Sequence, residues 1–185
     1  MNPNHNILIE TPRLLVRPLL AEDAAGMFEM DSDPLVHRYV GNKPVQNIEQ
    51  IREVIAFIQQ QYIDNGIGRW AIIEKQSQDF IGWTGFKLMK EKINGHENFI
   101  DFGYRLAQRF WGKGYATEAG AAVLMHGIKH FGFKDIYAMT DVHNAGSRRV
   151  LEKLNFRLMQ VFQYDGEPTW RENAELTNWY KYLKV

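Results

Sequence analysis

The sequence predicts a single mixed α/β domain, in which a sheet of about seven strands carries helices on both faces. The 185 residues suggest one domain, because domains commonly span about 100–200 residues. Hydrophobic residues make up 45% of the chain and charged residues 24%, as in ordinary globular proteins. Strand and helix patterns follow the order β, α, α, β, β, β, α, β, α, β, β. This mixture of helical and hairpin connections favours a mixed sheet.

The first quarter of the chain predicts a strand, a helix and a connector. Residues 7–17 alternate apolar and polar side chains, as strands do, and Pro12 predicts a break within them. Residues 21–31 show helical apolar spacing. Pro34 predicts the end of that helix, because a proline disfavours helical geometry in the residue before it. Residues 35–46 are then expected to form a connector.

A longer helix and a hairpin follow. Asn47 and Gln50 have the spacing of a capping box, and the helix predicted behind them over 48–65 has its apolar residues on one face. Two strands are predicted over 69–74 and 80–89, joined by a polar turn.

The second half predicts alternating strands and helices. Strands are expected over 98–106, 136–142, 156–164 and 174–183, with the turn of the last hairpin at Asp165-Gly166. One helix begins at Tyr115 and is closed by Gly132; another runs from about Asn144 to Leu154. Asn155 is predicted to adopt a left-handed conformation, which asparagine tolerates.

A glycine turn stands between the strand over 98–106 and the helix that follows. Gly112 and Gly114 flank Lys113 directly before the helix. Such a turn lets backbone N–H groups converge, and the helix dipole adds partial positive charge. Arg105 and Arg109 add cations, and only Glu118 opposes them nearby. The turn is therefore suited to a phosphate or pyrophosphate, although a turn that merely caps the helix is the alternative.

Two well-known phosphate loops do not fit this turn. The dinucleotide fingerprint needs Gly or Ala where Thr117 stands, and needs the strand immediately before the first glycine. The P-loop needs Ser or Thr after its lysine, but Lys113 is followed by Gly114.

Composition excludes several classes of function. Lys plus Arg and Asp plus Glu both number 22, so no overall charge favours a nucleic acid or membrane partner. Cysteine is absent, which excludes disulfides and thiolate chemistry and suits a reducing cytoplasm. Residues 1–6 are polar and expected to be flexible, leaving one domain over 7–185. The chain shows no signal pattern and no apolar run of the ~18 residues that a membrane span needs. A cytoplasmic location is expected.

Four segments resemble one family. The pattern Arg109-x-x-Gly112-x-Gly114 resembles the Q/R-x-x-G-x-G/A signature of the GNAT superfamily of acyl-CoA-dependent N-acetyltransferases. Residues 143–156 resemble the family's N-x-x-S/A-x-x-x-L/Y-E-K-x-G-F helix, with Asn155 where glycine is usual. Residues 10–18, and Asp33-Pro34 followed by Tyr39, are similar to the branch of ribosomal-protein N-terminal acetyltransferases.

The resemblance implies a fold, a cosubstrate and a binding site. The fold is a GNAT-like three-layer αβα arrangement with a mostly antiparallel mixed sheet, splayed between the fourth and fifth strands. The cosubstrate is acetyl-CoA, and the acceptor is a primary amine of a peptide or small molecule, bound in a ternary complex. A homodimer is compatible with the family. The residues implied in coenzyme binding are Tyr104, Arg105, Leu106, Arg109, Phe110, Trp111, Gly112, Lys113, Gly114, Tyr115, Ala116, Asn144 and Ser147.

Two residues are candidates for catalysis. Asp101 stands where many family members have a glutamate that acts as a base, although a salt-bridged strand acid is the alternative. Many members also have a tyrosine acid seven residues after the asparagine, where this chain has Leu151. Ser147 could supply that proton, water could supply it, or no dedicated acid exists.

Other interpretations remain open at this point. One is a non-catalytic acyl-CoA-binding module on the same fold, and another is a dinucleotide oxidoreductase. His126 and His130 have the i, i+4 spacing of a metal pair, but no third ligand is evident and no metal is expected. The connector 35–46, and the loop 167–173 with Trp170, are expected beside the acceptor. Trp70, Trp83 and Trp111 are expected in the core or in a cleft wall.

Overall fold

The computed structural model describes residues 8–164 and 176–184. The predicted flexible segment 1–6, the turn at Asp165-Gly166 and the loop 167–173 lie outside the described residues. Within the described residues the predicted mixed α/β fold is confirmed, with one sheet and helices on both of its faces.

The sheet has eight strands in the described part of the chain. They are Ile9–Glu10 (β1), Leu14–Pro18 (β2), Arg69–Glu74 (β3), Phe80–Met89 (β4), Phe99–Leu106 (β5), Ile136–Asp141 (β6), Phe156–Gln163 (β7) and Leu176–Tyr182 (β8). Their spatial order is β1-β2-β3-β4-β5-β6-β8-β7. Only the β5–β6 pair is parallel. The count exceeds the prediction because the break at Pro12 divides the first strand into the β1–β2 hairpin.

The described helices are Ala24–Asp31 (α1), Pro34–His37 (α2), Ile48–Asn65 (α3), Tyr115–His130 (α4) and Ala145–Lys153 (α5). Short 3-10 turns at Ala21–Asp23 and Gln108–Phe110 precede α1 and the glycine turn. Among these helices, none is both long and apolar enough to cross a membrane.

The prediction of an irregular connector over 35–46 is wrong at its start, where α2 forms. Pro34 occupies the first turn of α2, a position at which the fixed φ of proline suits a helix and its missing N–H costs nothing. The Asp33 carboxylate caps this helix by accepting the Leu35 N–H at 2.8 Å. The proline that ends one helix therefore begins the next.

The other predicted helix signals are confirmed. Asn47 and Gln50 form a reciprocal capping box at the start of α3, and Gly66 ends it with a φ of 72°. Asn155 follows α5 with a φ of 64°.

The helices form two layers around the sheet, which confirms the predicted three-layer arrangement. Successive side chains on a strand point to opposite faces. Tyr104 on β5 contacts Ser147 of α5, whereas its neighbour Arg105 contacts Asp31 of α1. Therefore α5 and α1 lie on opposite faces.

The sheet opens between β5 and β6, as predicted for the fourth and fifth strands. Their recorded pairing consists of Ile100 with Ile136 and Asp101 with Tyr137. Beyond these pairs β5 continues to Leu106 and β6 to Asp141, without a recorded pairing between them in the described chain. The opening leaves the second half of β5 with a free edge facing β6.

Candidate active site

The glycine turn is open at its surface. Gly112 and Gly114 have φ angles of 74° and 81°, in the left-handed region that glycine enters without the penalty paid by other residues. A Cβ added at Gly112 would have no atom within 4 Å. Gly114 is the N-cap of α4. The backbone of the turn is thus accessible at the positive end of a long helix.

The N–H groups of this turn differ in their availability. Phe110 N–H donates to the Ala107 carbonyl and Trp111 N–H donates to the Gln108 carbonyl, each at 3.0 Å. Glu118 N–H donates to the Gly114 carbonyl at 3.0 Å. The first N–H groups of a helix have no partner within it, so those of residues 115–117 point out of the start of α4. The N–H groups of Phe110 and Trp111 are therefore engaged within the protein, and those of residues 112–117 are the candidates for binding an anion.

Most side chains in and beside the turn pack in the core or form hydrogen bonds within the protein. Phe110 and Tyr115 are buried, and the Tyr115 hydroxyl donates to the Glu74 carboxylate. Trp111 is 48% exposed, and its indole N–H donates to the Leu106 carbonyl at 2.7 Å. The Lys113 ammonium lies 5.1 Å above the Phe110 ring, which keeps its charge beside the turn.

Two predicted cations are already paired with carboxylates of α1. Arg109 forms an ion pair with Glu29. Arg105 Nη1 lies 2.7 Å from Asp31 Oδ1. These pairings join residues 74 and 80 positions apart, so no local pattern in the sequence indicates them.

A cation that sequence reasoning missed lies at the turn instead. Arg13, between β1 and β2, donates from Nη1 to the Lys113 carbonyl at 2.9 Å. Its guanidinium carbon lies 4.4 Å above the Tyr115 ring, and its Nη2 is 2.6 Å from Glu118 Oε2. The similarity of residues 10–18 to the family was the only signal for this segment, and it assigned Arg13 no role.

Asp101 is a buried acid, only 8% exposed. Its Oδ2 lies 2.5 Å from Nη2 of Arg69. Arg69 Nη1 also donates to the Gly85 carbonyl at 2.5 Å, which fixes the guanidinium against β4. Burial raises the pKa of Asp101 above the usual value of an aspartate, and the Arg69 charge offsets this only in part.

Aromatic and charged side chains extend from Asp101 along the same face of the sheet. The guanidinium carbons of Arg69 and Arg105 lie 5.3 and 5.2 Å from the ring centre of Trp83. Between Asp101 and Arg105 on this face stands Gly103, where an added Cβ would come within 2.9 Å of the Arg69 guanidinium. The Trp83 ring therefore lies between two guanidinium groups.

Asp31 of α1 and His37 of α2 lie at the end of this row of side chains, which runs from Asp101 past Trp83 to Arg105. His37 is buried, with Nε2 3.4 Å from Asp31 Oδ1. Burial raises the pKa of Asp31, but the charge of Arg105, the close contact with His37 and the hydrogen bond from Arg105 outweigh it, so the pKa lies below its usual value. Sequence reasoning placed His37 in a connector beside the acceptor, but no motif indicated Asp31.

On the opposite face, the start of α5 is tied to β5. Asn144 Oδ1 accepts the Ser147 N–H at 3.0 Å, as an N-cap does. The Tyr104 hydroxyl donates to the Ser147 carbonyl at 2.8 Å and lies 2.9 Å from Ser147 Oγ. Burial raises the pKa of Tyr104, so this phenol stays protonated. Both predicted residues of α5 thus lie beside the opening between β5 and β6.

Comparison with known proteins identifies the family. Residues 13–157 match the family model "Acetyltransferase (GNAT) domain". The chain is 31% identical over 147 residues to the uncharacterized N-acetyltransferase p20 of Bacillus licheniformis, which covers 80% of each protein. The chain belongs to the GNAT acetyltransferases. It is therefore an acetyltransferase enzyme, and the predicted family is confirmed.

Solved structures show the same GNAT fold. The GNAT-family acetyltransferase of Bacillus anthracis superposes with a TM-score of 0.79 at 23% identity, over 96% of this chain and 98% of that one. The ribosomal-protein α-N acetyltransferase RimL, solved in complex with coenzyme A, superposes with a TM-score of 0.79 at 14% identity and the same coverage.

The tyrosine common on the last GNAT helix has no counterpart at its usual position. Leu151 stands there and is 1% exposed, packed in the core. In the described part of the chain, the hydroxyl groups of Ser147 and Tyr104 lie 2.9 Å apart where α5 meets β5.

The histidine pair on α4 packs against the core. His126 and His130 stack with ring centres 4.4 Å apart, and His126 also contacts the buried Trp70 edge-on. Burial and the neighbouring His130 lower the pKa of His126. Among the described residues, no group of three or more metal-ligating side chains includes them.

Proposed function

We propose that this GNAT protein transfers the acetyl group of acetyl-CoA to a primary amine, with both substrates bound together. The observation that carries this proposal is the open left-handed turn at the start of α4, beside the opening between β5 and β6. A turn of exposed N–H groups at a helix start suits a diphosphate. The free edge of β5 suits an extended chain that pairs with it as an added strand would.

The residues present fit the coenzyme. The N–H groups of residues 112–117 and the Lys113 ammonium would hold the diphosphate. The edge of β5 at Tyr104–Leu106 and the Asn144 side chain would hold the pantetheine arm. Because the Leu106 carbonyl already accepts from Trp111, the edge contacts depend on the other backbone groups of this segment. When bound, acetyl-CoA supplies an activated acyl group for transfer to nitrogen.

Asp101 is the base that we propose for the acceptor. A lysine-like amine has a pKa of about 10.4 and is mostly charged at neutral pH, so it must lose a proton before it can react. A buried carboxylate with a raised pKa is a better proton acceptor than an ordinary aspartate. Arg69 contacts Oδ2, so it holds the carboxylate and leaves Oδ1 for the amine or for a bridging water.

Ser147 and Tyr104 form the donor that we propose for the departing sulfur. A thiol has a pKa of about 8.5, so its anion needs little more than a hydrogen bond. Ser147 Oγ can turn toward the opening while the Tyr104 hydroxyl holds the first turn of α5. This pair takes the place of the tyrosine that Leu151 replaces.

Two classes of acceptor fit the site, a peptide α-amine and a small-molecule amine. The fold is that of RimL, whose name describes an enzyme acting on the α-nitrogen of a ribosomal protein. The row from Asp101 to Asp31 offers carboxylates, guanidinium groups and the Trp83 ring, which suit an amine carried on a polar group.

The test is amine-dependent release of coenzyme A thiol. The purified chain is incubated with acetyl-CoA and, separately, with short peptides of varied N-terminal residue, polyamines, aminoglycosides and amino acids. We expect thiol release with one class of amine, together with a product heavier by one acetyl group. If the protein binds the coenzyme but acetylates none of these amines, the proposed acetyl transfer is contradicted and the proposed coenzyme site is not. Failure to bind coenzyme A would contradict both.

A further inference from the structure

A carboxylate stands in the first turn of α4, where an anion is proposed to bind. Glu118 suits the helix itself, because a negative charge near a helix start interacts favourably with the dipole. The same charge repels a diphosphate placed on residues 112–117. Glu74 adds a second carboxylate, bonded to the Tyr115 hydroxyl.

Arg13 meets the Glu118 carboxylate with three of its N–H groups. Its Nε and Nη2 lie 2.7 and 2.6 Å from Oε2, and its backbone N–H donates to Oε1 at 3.0 Å. The Thr11 hydroxyl also donates to Oε1, at 2.6 Å. Burial raises the pKa of Glu118, but the hydrogen bonds from Thr11 and Arg13 outweigh it and lower the pKa below its usual value. Glu118 is therefore ionised at neutral pH, and Arg13 supplies a positive charge in direct contact with it.

The same guanidinium reaches the turn. Arg13 Nη1 donates to the Lys113 carbonyl at 2.9 Å, and its Nη2 would lie 3.5 Å from a Cβ at Gly114. The Arg13 side chain is 46% exposed. Arg13 and Lys113 are then balanced by Glu118 and Glu74, and the positive charges of both also lower the pKa of Glu74 after the hydrogen bonds from Tyr115 and Ser77. Without Arg13 the three remaining residues, Lys113, Glu118 and Glu74, would together carry a net negative charge.

Resting on the proposed function, we propose that Arg13 is a positioning residue that neutralises Glu118 and keeps the Gly112–Gly114 turn receptive to the coenzyme diphosphate. Glu118 connects the β1–β2 hairpin to α4 by accepting hydrogen bonds from Thr11 and Arg13. The negative charge of Glu118 weakens the positive potential at the start of α4, and the positive charge of Arg13 offsets this effect. The ion pair thereby resolves the conflict between anchoring the hairpin and binding an anion.

The test is a double-mutant cycle read by the dissociation constant of coenzyme A, measured by calorimetry. The variants are R13M, E118Q and R13M/E118Q, with thermal melting of each to follow the fold. A further variant, R13K, keeps the positive charge but lacks the planar guanidinium group that donates several hydrogen bonds. The matched control is the exposed Arg52–Glu49 pair on α3, changed as R52M, E49Q and both.

We expect R13M to weaken binding about tenfold, because it leaves an unpaired carboxylate beside a dianion. E118Q should bind as tightly as the wild type or more tightly, and the double variant should return to within about threefold of it. A merely structural clasp predicts the opposite, a double variant as weak as R13M. That result, or R13M binding like the wild type, would overturn the proposal. The control cycle should change nothing.

The cycle also separates this inference from the proposed function. Wild-type protein that fails to bind coenzyme A would overturn both. Wild-type binding with no rescue in the double variant would overturn only the role of Arg13.

Discussion

The proposed coenzyme site and the proposed acceptor site bind their ligands through different kinds of group. The glycine turn, which is proposed to bind the coenzyme diphosphate, uses main-chain N–H groups around Gly112 and Gly114, in one continuous segment of chain. The acceptor face uses side chains from three strands and two helices, with Asp101, Arg69 and Asp31 among them. The first depends on backbone conformation, and the second depends on burial and charge pairing.

This difference separates what each site contributes. A backbone turn binds a constant feature of the cosubstrate, and its geometry changes only if the glycines change. Side chains tuned by burial can change with the acceptor while the turn stays the same. Substitutions on the acceptor face should therefore act on turnover, and substitutions in the turn should act on coenzyme affinity.

The largest effect is expected for Asp101→Asn. Loss of a general base typically lowers turnover about 10²-fold or more. The dissociation constant of coenzyme A should stay within about twofold, because Asp101 lies on the acceptor side. Steady-state kinetics and calorimetry measure the two quantities. Asp23→Asn is the control, since Asp23 is equally buried and paired with Arg17 but lies outside the site.

The same variant gives a test in pH. Asp101 must be ionised to accept a proton, and burial raises its pKa above the usual value. The ratio of wild-type to D101N turnover cancels the ionisation of the amine, which both enzymes share. We predict that this ratio falls as pH drops through the raised pKa and levels off above it. A ratio independent of pH would make Asp101 a structural partner of Arg69.

The next effect is expected for Gly112→Val. A β-branched residue at positive φ costs about 1–3 kcal/mol, and its side chain would cover the donors of the turn. We predict a rise of about 10- to 30-fold in the dissociation constant of coenzyme A, with turnover at saturation little changed. Gly132→Val is a matched control, because Gly132 has a φ of 68° and open space around it, after the far end of α4.

An equal loss of affinity in G112V and G132V would show that helix strain, and not contact with the coenzyme, causes the effect. A fall in turnover of G112V at saturating coenzyme would contradict the expectation that substitutions in the turn act only on coenzyme affinity.

The glycine turn could be predicted from the sequence because it lies in one segment of chain, whereas the acceptor face is assembled from distant residues. Gly112 and Gly114 are only two positions apart in the chain, so their spacing predicted the turn, and Asn47 and Asn155 predicted the helix ends around the sheet. Arg109 shows the limit, because its predicted role as a phosphate cation ignored Glu29 on α1. Arg69, Asp31 and Trp83 converge only through the sheet register and the packing of α1. Nothing local in the sequence pairs them.

The smallest effect is expected at Asn144, the N-cap of α5. Loss of its cap in Asn144→Ala should cost about 1 kcal/mol of folding stability, measured by denaturant unfolding. Asn144→Asp retains the capping oxygen and should keep the stability. If Asn144 also contacts the pantetheine arm through its N–H₂ group, coenzyme affinity should fall a few-fold in both variants. A loss of affinity confined to N144A would assign the residue to capping alone.

The most direct measurement is a crystal structure of the chain grown with coenzyme A. We predict diphosphate oxygens at hydrogen-bond distance, about 2.7–3.2 Å, from N–H groups of residues 112–117, with the pantetheine chain between β5 and β6. A coenzyme bound elsewhere, with the turn empty, would contradict the assignment of this backbone segment as the donor site.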